Sequence, residues 1–296
     1  MDIRTDITNA IINLIEQGKA NSHNPLWDQA CKHGMPRNSA TTRPYNGINV
    51  PLLWIAAEKY GFARNEWLTF LQLQQLGARL KAGSKGAMGI YFKMVAKKGA
   101  DAGQAHNHAD GAQDGLYPMM KPFFVFNVEQ IEGLPEAVEP TSTQFTPIEE
   151  AERILQASGA KIIHDGNKAF YQSNTDTIVM PDQVRFKSAE NYYAVALHEL
   201  THWSGHSSRL ARDFSGRFAS EAYAFEELVA ELGSAYTVAH LGLHEATLEN
   251  HASYIDSWLR VLKSDKEAVF RAAKLASAAS QFILAKSGVT APEANH

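Results

Sequence analysis

The chain has 296 residues, 45% hydrophobic and 20% charged, a soluble globular composition; its one cysteine, Cys31, excludes an internal disulfide. No run approaches the ~18 apolar residues of a membrane span, and the start (MDIRTDITNAIINLIEQGKA) lacks the apolar core of a signal peptide, so no membrane and a cytoplasmic location are expected. The net charge of -4 is uneven: residues 1–98 hold 13 Lys+Arg against 6 Asp+Glu, a surplus of 7 that leaves the remainder at -11, which points to two parts with different partners.

In chain order, Ile3, Ile7, Ile11, Leu14 and Ile15 carry helical spacing up to about Gly18. A stretch broken by Pro25, Gly34, Pro36 and Pro44 follows. Residues 47–60 read as a helix with Pro51 in its first turn and Gly61 at its end, and residues 66–80 (EWLTFLQLQQLGARL) as a third helix. Residues 88–95 (MGIYFKMV) and 122–128 (PFFVFNV) read as strands able to pair across a flexible loop, 96–115, which carries His106 and His108. Residues 133–145 are rich in Pro, Thr and Glu and read as a linker. Thr146, Pro147 and Glu149 form a capping box with proline at the first helical position, opening a helix that ends near Gly159. Short strands at 161–164, 169–171 and 177–180 follow, then a helix over 189–203 capped by Ser188. Further helices are expected at 221–239, 244–263 and 265–286. The fold class expected is α+β in two domains, 1–132 and 146–290.

The helix over 189–203 contains His198-Glu199-Leu200-Thr201-His202, an H-E-x-x-H motif. At about 100° per residue, i and i+4 share a helix face, so both imidazoles can reach one Zn²⁺, while Glu199 can take a proton from a water on that ion. This is the zincin pattern. A third ligand is needed. The metzincin extension requires histidine at position 208, which is Ser208, and His206 lies just past the glycine that ends the helix. In EAYAFEELVAELGSAYTVAH the pattern Glu227-x-x-x-Glu231 resembles the glutamate helix of gluzincins. That resemblance implies Glu227 as metal ligand and Glu231 as hydrogen-bond partner of a ligand histidine. Phe225, Leu228, Val229, Leu232 and Tyr236 form the apolar stripe, and Glu226 points about 100° away from Glu227. Tyr223, near the Glu227 face, is a candidate to stabilise an oxyanion.

The segments RPYNGINVPLLW, EWLTFLQLQQLGARLKAGSKG, FFVFNVEQIEGLP, HELTHWSGH and YAFEELVAELGSA together resemble the ArdC-type antirestriction proteins of conjugative plasmids, over nearly the whole chain. The resemblance implies a small α+β single-stranded-DNA-binding domain, also found in TraC-type plasmid primases, followed by a zincin-like metallopeptidase domain with a small sheet and several helices. It implies zinc, with manganese as an alternative, a host protein or peptide of unknown identity as substrate, and a role in shielding incoming plasmid DNA from restriction. For the DNA-binding part it directs attention to cations and aromatic faces: Lys32, Arg37, Arg43, Tyr45, Trp67, Lys81, Lys85 and Lys93. Two readings remain open at this stage, a metal-dependent peptidase or a non-catalytic DNA shield whose metal is only structural.

Overall fold

The computed structural model describes residues 2–21, 33–96, 116–134, 146–214, 220–243 and 252–288. Lys32, the expected loop with His106 and His108 apart from Ala96, and most of the expected linker lie outside them. The described residues form an α+β fold with three small sheets.

The N-terminal half holds α1 (Ile3–Asn21), β1 (Arg37–Asn38), α2 (Asn49–Tyr60), β2 (Glu66–Thr69), α3 (Phe70–Gln75), β3 (Arg79–Leu80), β4 (Ala87–Ala96), β5 (Leu116–Asn127) and β6 (Ile131–Glu132). Its main sheet runs β1–β2–β5–β4, and β3 pairs with β6. β4 and β5 are antiparallel neighbours, as their sequences suggest, with Ala87 opposite Val125 and Tyr91 opposite Lys121. Asn49 of α2 closes the free edge of β4. Its amide donates to the Ile90 carbonyl at 2.8 Å and accepts from the Ile90 N–H at 2.7 Å.

The helix expected over 66–80 is corrected. Glu66–Thr69 is an inner strand, Phe70–Gln75 a short helix and Arg79–Leu80 an edge strand. Adjacent Trp67 and Leu68 enter different cores, as strand alternation requires. Trp67 packs with Tyr45, Leu53, Ala57 and Val125, and Leu68 with Leu73, Ala78 and Ile131. Thr69 then caps α3 through a capping box with Gln72, and Gly77, at φ 69°, turns the chain out of it. The apolar spacing suits a helix, but pairing with β5 on two buried faces overrides it.

The C-terminal half holds α4 (Pro147–Ser158), β7 (Lys161–His164), β8 (Phe170–Gln172), β9 (Thr177–Met180), α5 (Ala189–Ser204), α6 (Glu221–Leu241), α7 (Ala252–Ser264) and α8 (Ala268–Lys286). The Thr146–Glu149 capping box and the left-handed Gly159 bound α4 where the sequence places them. β9 lies between parallel β7 and antiparallel β8, so β8 is an edge strand.

The main core crosses the expected linker. Ile7, Ile11, Ile12 and Ile15 of α1 are buried in the same cluster as Ile255, Trp258 and Leu262 of α7. Polar contacts fix the register: Thr8 Oγ1 donates to the Lys266 carbonyl at 2.9 Å, Lys263 reaches Glu16 at 2.8 Å and Arg4 reaches Glu267 at 2.7 Å. Trp54 of α2 meets Tyr236 of α6 edge-on at 5.7 Å, and the Tyr236 hydroxyl donates to the Gly47 carbonyl at 3.2 Å.

Candidate functional site

Helices α5 and α6 cross closely because the residues between them are small. A Cβ added to Gly233 would lie 2.7 Å from Thr201 Cγ2, and Ser234 Oγ donates to the Ala194 carbonyl at 3.2 Å. One turn of α5 therefore faces one turn of α6. Glu227 Oε2 lies 3.6 Å from His198 Nε2, and its Oε1 lies 3.6 Å from His202 Nε2. Donor atoms of His198, His202 and Glu227 all lie within 4.8 Å of one another. A tetrahedral metal with bonds of about 2.0–2.1 Å spaces its ligand atoms about 3.3 Å apart, so this donor set fits a divalent cation with only small adjustments.

The other ring nitrogens also face carboxylates. His198 Nδ1 lies 3.5 Å from Glu231 Oε2, and His202 Nδ1 lies 3.1 Å from Glu226 Oε1. Carboxylates there hold the N–H on Nδ1, so Nε2, which faces Glu227, is the nitrogen left to give up its proton and ligate a metal. The wheel reading gives Glu226 no role because it points away from Glu227, yet the two acids straddle His202, one at each ring nitrogen. Behind Glu226 stands Arg212, whose side chain is 3% exposed. Its guanidinium donates to Glu226 at 2.9–3.2 Å, to Ser204 Oγ at 2.9 Å and to the Thr201 carbonyl at 2.6 Å. The pair of adjacent acids in FEELV, on a helix whose residues are largely buried, is the signal in the sequence that marks Glu226. Nothing in the loop sequence marks Arg212.

Burial would lower the pKa of His202, but the Glu227 charge and the Glu226 hydrogen bond outweigh it and hold it at about 9. His198 is raised in the same way, against burial, by Glu227 and Glu231. Burial pushes Glu227 up, but the two imidazoles more than reverse this and hold it far below the usual carboxylate range. Glu199 behaves differently: burial raises its pKa, and the nearby histidines offset this only in part. Its carboxylate also meets the backbone N–H of Tyr171 on β8. Raised basicity suits a proton acceptor.

β8 is itself anchored. The Tyr171 hydroxyl donates to Asp176 at 2.8 Å, and Arg209 ion-pairs with Asp176, donates to the Trp203 carbonyl at 2.7 Å and lies 3.8 Å over the Trp203 ring. The strand facing Glu199 is thereby tied to the end of α5. Tyr223 sits in the first turn of α6, one turn before Glu227, with intermediate exposure. His206 is bonded to Ser208 at 2.8 Å and stands apart from the three donors.

The residues expected to contact DNA differ in burial. Trp67 is fully buried with its indole N–H donated to Asn65 at 2.7 Å, and Tyr45 is buried against Phe123, so neither offers a ring to a base. Both serve the core under the sheet, which the sequence could not separate from surface display. Arg37 is engaged by Glu66 at 2.8 Å. Arg43, Lys81, Lys85 and Lys93 are exposed, and Lys81 donates to the Glu129 carbonyl at 2.8 Å. The exposed aromatic residues of this half include Phe70, Tyr91, Phe92 and Phe124, which no sequence signal separates from buried ones.

Comparison with known proteins gives a family match in each half of the chain. Residues 1–126 match the family model for the N-terminal domain of anti-restriction factor ArdC, and residues 149–275 match that for a zincin-like metallopeptidase. The chain is 38% identical over 275 residues to the uncharacterized protein y4eC of Sinorhizobium fredii, covering 93% of this chain and 89% of that one. It is 40% identical over 287 residues to a DNA primase TraC of Escherichia coli, covering 92% of this chain but only 26% of the primase. Crystal structures of the antirestriction ArdC protein from plasmid R388 match it over 97% of this chain and 98% of theirs. The metal-free form gives a TM-score of 0.79 at 35% identity, and the Mn(II)-bound form 0.78 at 34%.

Proposed function

Since the chain belongs to the ArdC family of antirestriction proteins, we propose that it protects incoming plasmid DNA by binding single strands through its N-terminal half and hydrolysing peptide bonds at the α5–α6 site. The observation that carries the peptidase reading is the convergence of His198 Nε2, His202 Nε2 and Glu227 beside a buried, basic Glu199. A divalent metal held by these three side chains would supply Lewis acidity toward a substrate carbonyl and an attacking water. Glu199, kept basic by its burial, would accept that water's proton. Glu226 and Glu231 would keep both histidines in the ligating tautomer, and Tyr223 is assigned to the developing oxyanion. Zinc is the proposed ion; the Mn(II)-bound R388 structure makes manganese the alternative. For the N-terminal half, the relatives named as DNA primases and the exposed cations support single-stranded DNA as the partner. No described helix is long and apolar enough to cross a membrane, which accords with action in the cytoplasm.

A second reading, in which metal only braces the helices and coverage of DNA suffices, is favoured by how closed the site is: Glu199, His202 and Glu227 are each 6–8% exposed. Glu199→Gln separates the two. On the peptidase reading it retains metal and fold, abolishes cleavage of host proteins seen by proteomics, and lowers plasmid survival against restriction. Full survival with Glu199→Gln would leave the shield reading alone.

A further inference from the structure

Strand β5 turns Phe124 and Phe126 to the same face, two residues and about 6.7 Å apart. Phe126 meets Phe70 of α3 at 6.5 Å, edge to face. Phe70 is 50% and Phe124 56% exposed, so about half of each residue's surface stays open. Burying such rings elsewhere would stabilise the fold, so an open ledge of phenylalanines on a sheet that hides Tyr45 and Trp67 marks a contact surface. The loop joining β3 to β4 runs along this ledge. A Cβ on Gly86 would stand 3.3 Å from the Phe124 Cβ and 3.4 Å from the Phe126 ring, so the chain approaches both rings because residue 86 has no side chain. The exposed cation Lys85 is its immediate neighbour.

We infer that this ledge, Phe70 and Phe124 flanking the partly buried Phe126 with Lys85 at its rim, is where single-stranded DNA stacks. The inference rests on the DNA-binding reading above and replaces the buried Tyr45 and Trp67 as the stacking faces. Open ring faces beside a cation match a flexible polyanion whose bases are unpaired. A protein partner or second copy would use the rings but not require the cation. A duplex, whose bases are already stacked, could use the cation but not the rings.

The test is fluorescence anisotropy of full-length protein with fluorescein-labelled oligo(dT), using Phe124→Ala, Phe70→Ala and Lys85→Ala, with Tyr91→Ala as an exposed aromatic off the ledge. Circular dichroism checks that each variant folds. Each phenylalanine variant should bind about 5- to 150-fold more weakly, the range expected for loss of one stacked base. Lys85→Ala should reduce the slope of log affinity against log salt by about 0.7, and Tyr91→Ala should bind as wild type. If the wild type binds and Phe124→Ala binds equally well, the ledge is wrong while DNA binding stands. A wild type that binds no single strand removes the underlying reading and this one with it. Loss of self-association in Phe124→Ala, with DNA binding intact, would assign the ledge to a second copy.

Discussion

Replacing Arg212 with Met tests the buried chain His202–Glu226–Arg212 directly. The guanidinium is 3% exposed and supplies three donor groups to Glu226, Ser204 and the Thr201 carbonyl. Methionine fills most of the volume but leaves Glu226 ionised in a buried site with His202 as its one remaining charged partner among the described residues. Breaking a buried pair from one side costs about 3–5 kcal/mol. For a chain of this size each kcal/mol lowers the melting temperature by about 2–4 °C, so Arg212→Met should melt about 6–20 °C below wild type in EDTA. Glu226→Gln in the same background removes the stranded charge, and the double variant should recover at least about half of the loss. Metal affinity follows a separate course. Once Glu226 no longer holds the Nδ1 proton of His202, binding of Zn²⁺ or Co²⁺ in a chelator competition should weaken about 10- to 100-fold. The reasoning is refuted if Arg212→Met costs less than about 1 kcal/mol, or if the two single losses simply add in the double variant, since additivity means the groups do not interact.

Gly233→Ala places a methyl against Thr201 and should cost about 1–3 kcal/mol while weakening metal binding, because it forces apart the helices that carry the donors; unaltered metal affinity would count against the close crossing. Ile11→Ala should destabilise the full chain by about 2–5 kcal/mol in urea titration, as expected for a core residue rather than one on a detachable arm. Arg209 holds the Asp176 carboxyl below its ordinary value, so this ion pair stabilises the fold above pH about 3.8 and is lost as pH falls through the depressed pKa. Asp176→Asn should therefore lower stability at neutral pH and flatten the acid limb of an unfolding profile; a profile parallel to wild type would show that the pair does not contribute.

What the sequence disclosed follows from how local each signal is. The H-E-x-x-H helix, the Thr146 cap and the pairing of β4 with β5 rest on spacings of a few residues or on two clear strand patterns around one loop, and they are legible without coordinates. The 66–80 segment is different. Its apolar residues satisfy a helical period, and only the presence of β5 on one side and two separate cores decides for a strand. Glu226 was invisible for a related reason: a helical wheel compares residues on one helix, while the role of Glu226 depends on where His202 of another helix falls between it and Glu227. Tyr45 and Trp67 show the same limit in reverse, because an aromatic side chain in sequence carries no mark of whether it lies under a sheet or on it.

The clasp of α1 on α7 sets an order of events in synthesis. Glu16 and Lys263, which meet in the folded protein, lie 247 residues apart, so the first helix leaves the ribosome long before its partner exists. At about 5–20 residues per second that interval is about 12–50 s. Throughout it the isoleucine face of α1 lacks α7, so the nascent chain carries an apolar stripe without that partner. Its folding in the cell should depend on whatever covers that stripe until α7 arrives.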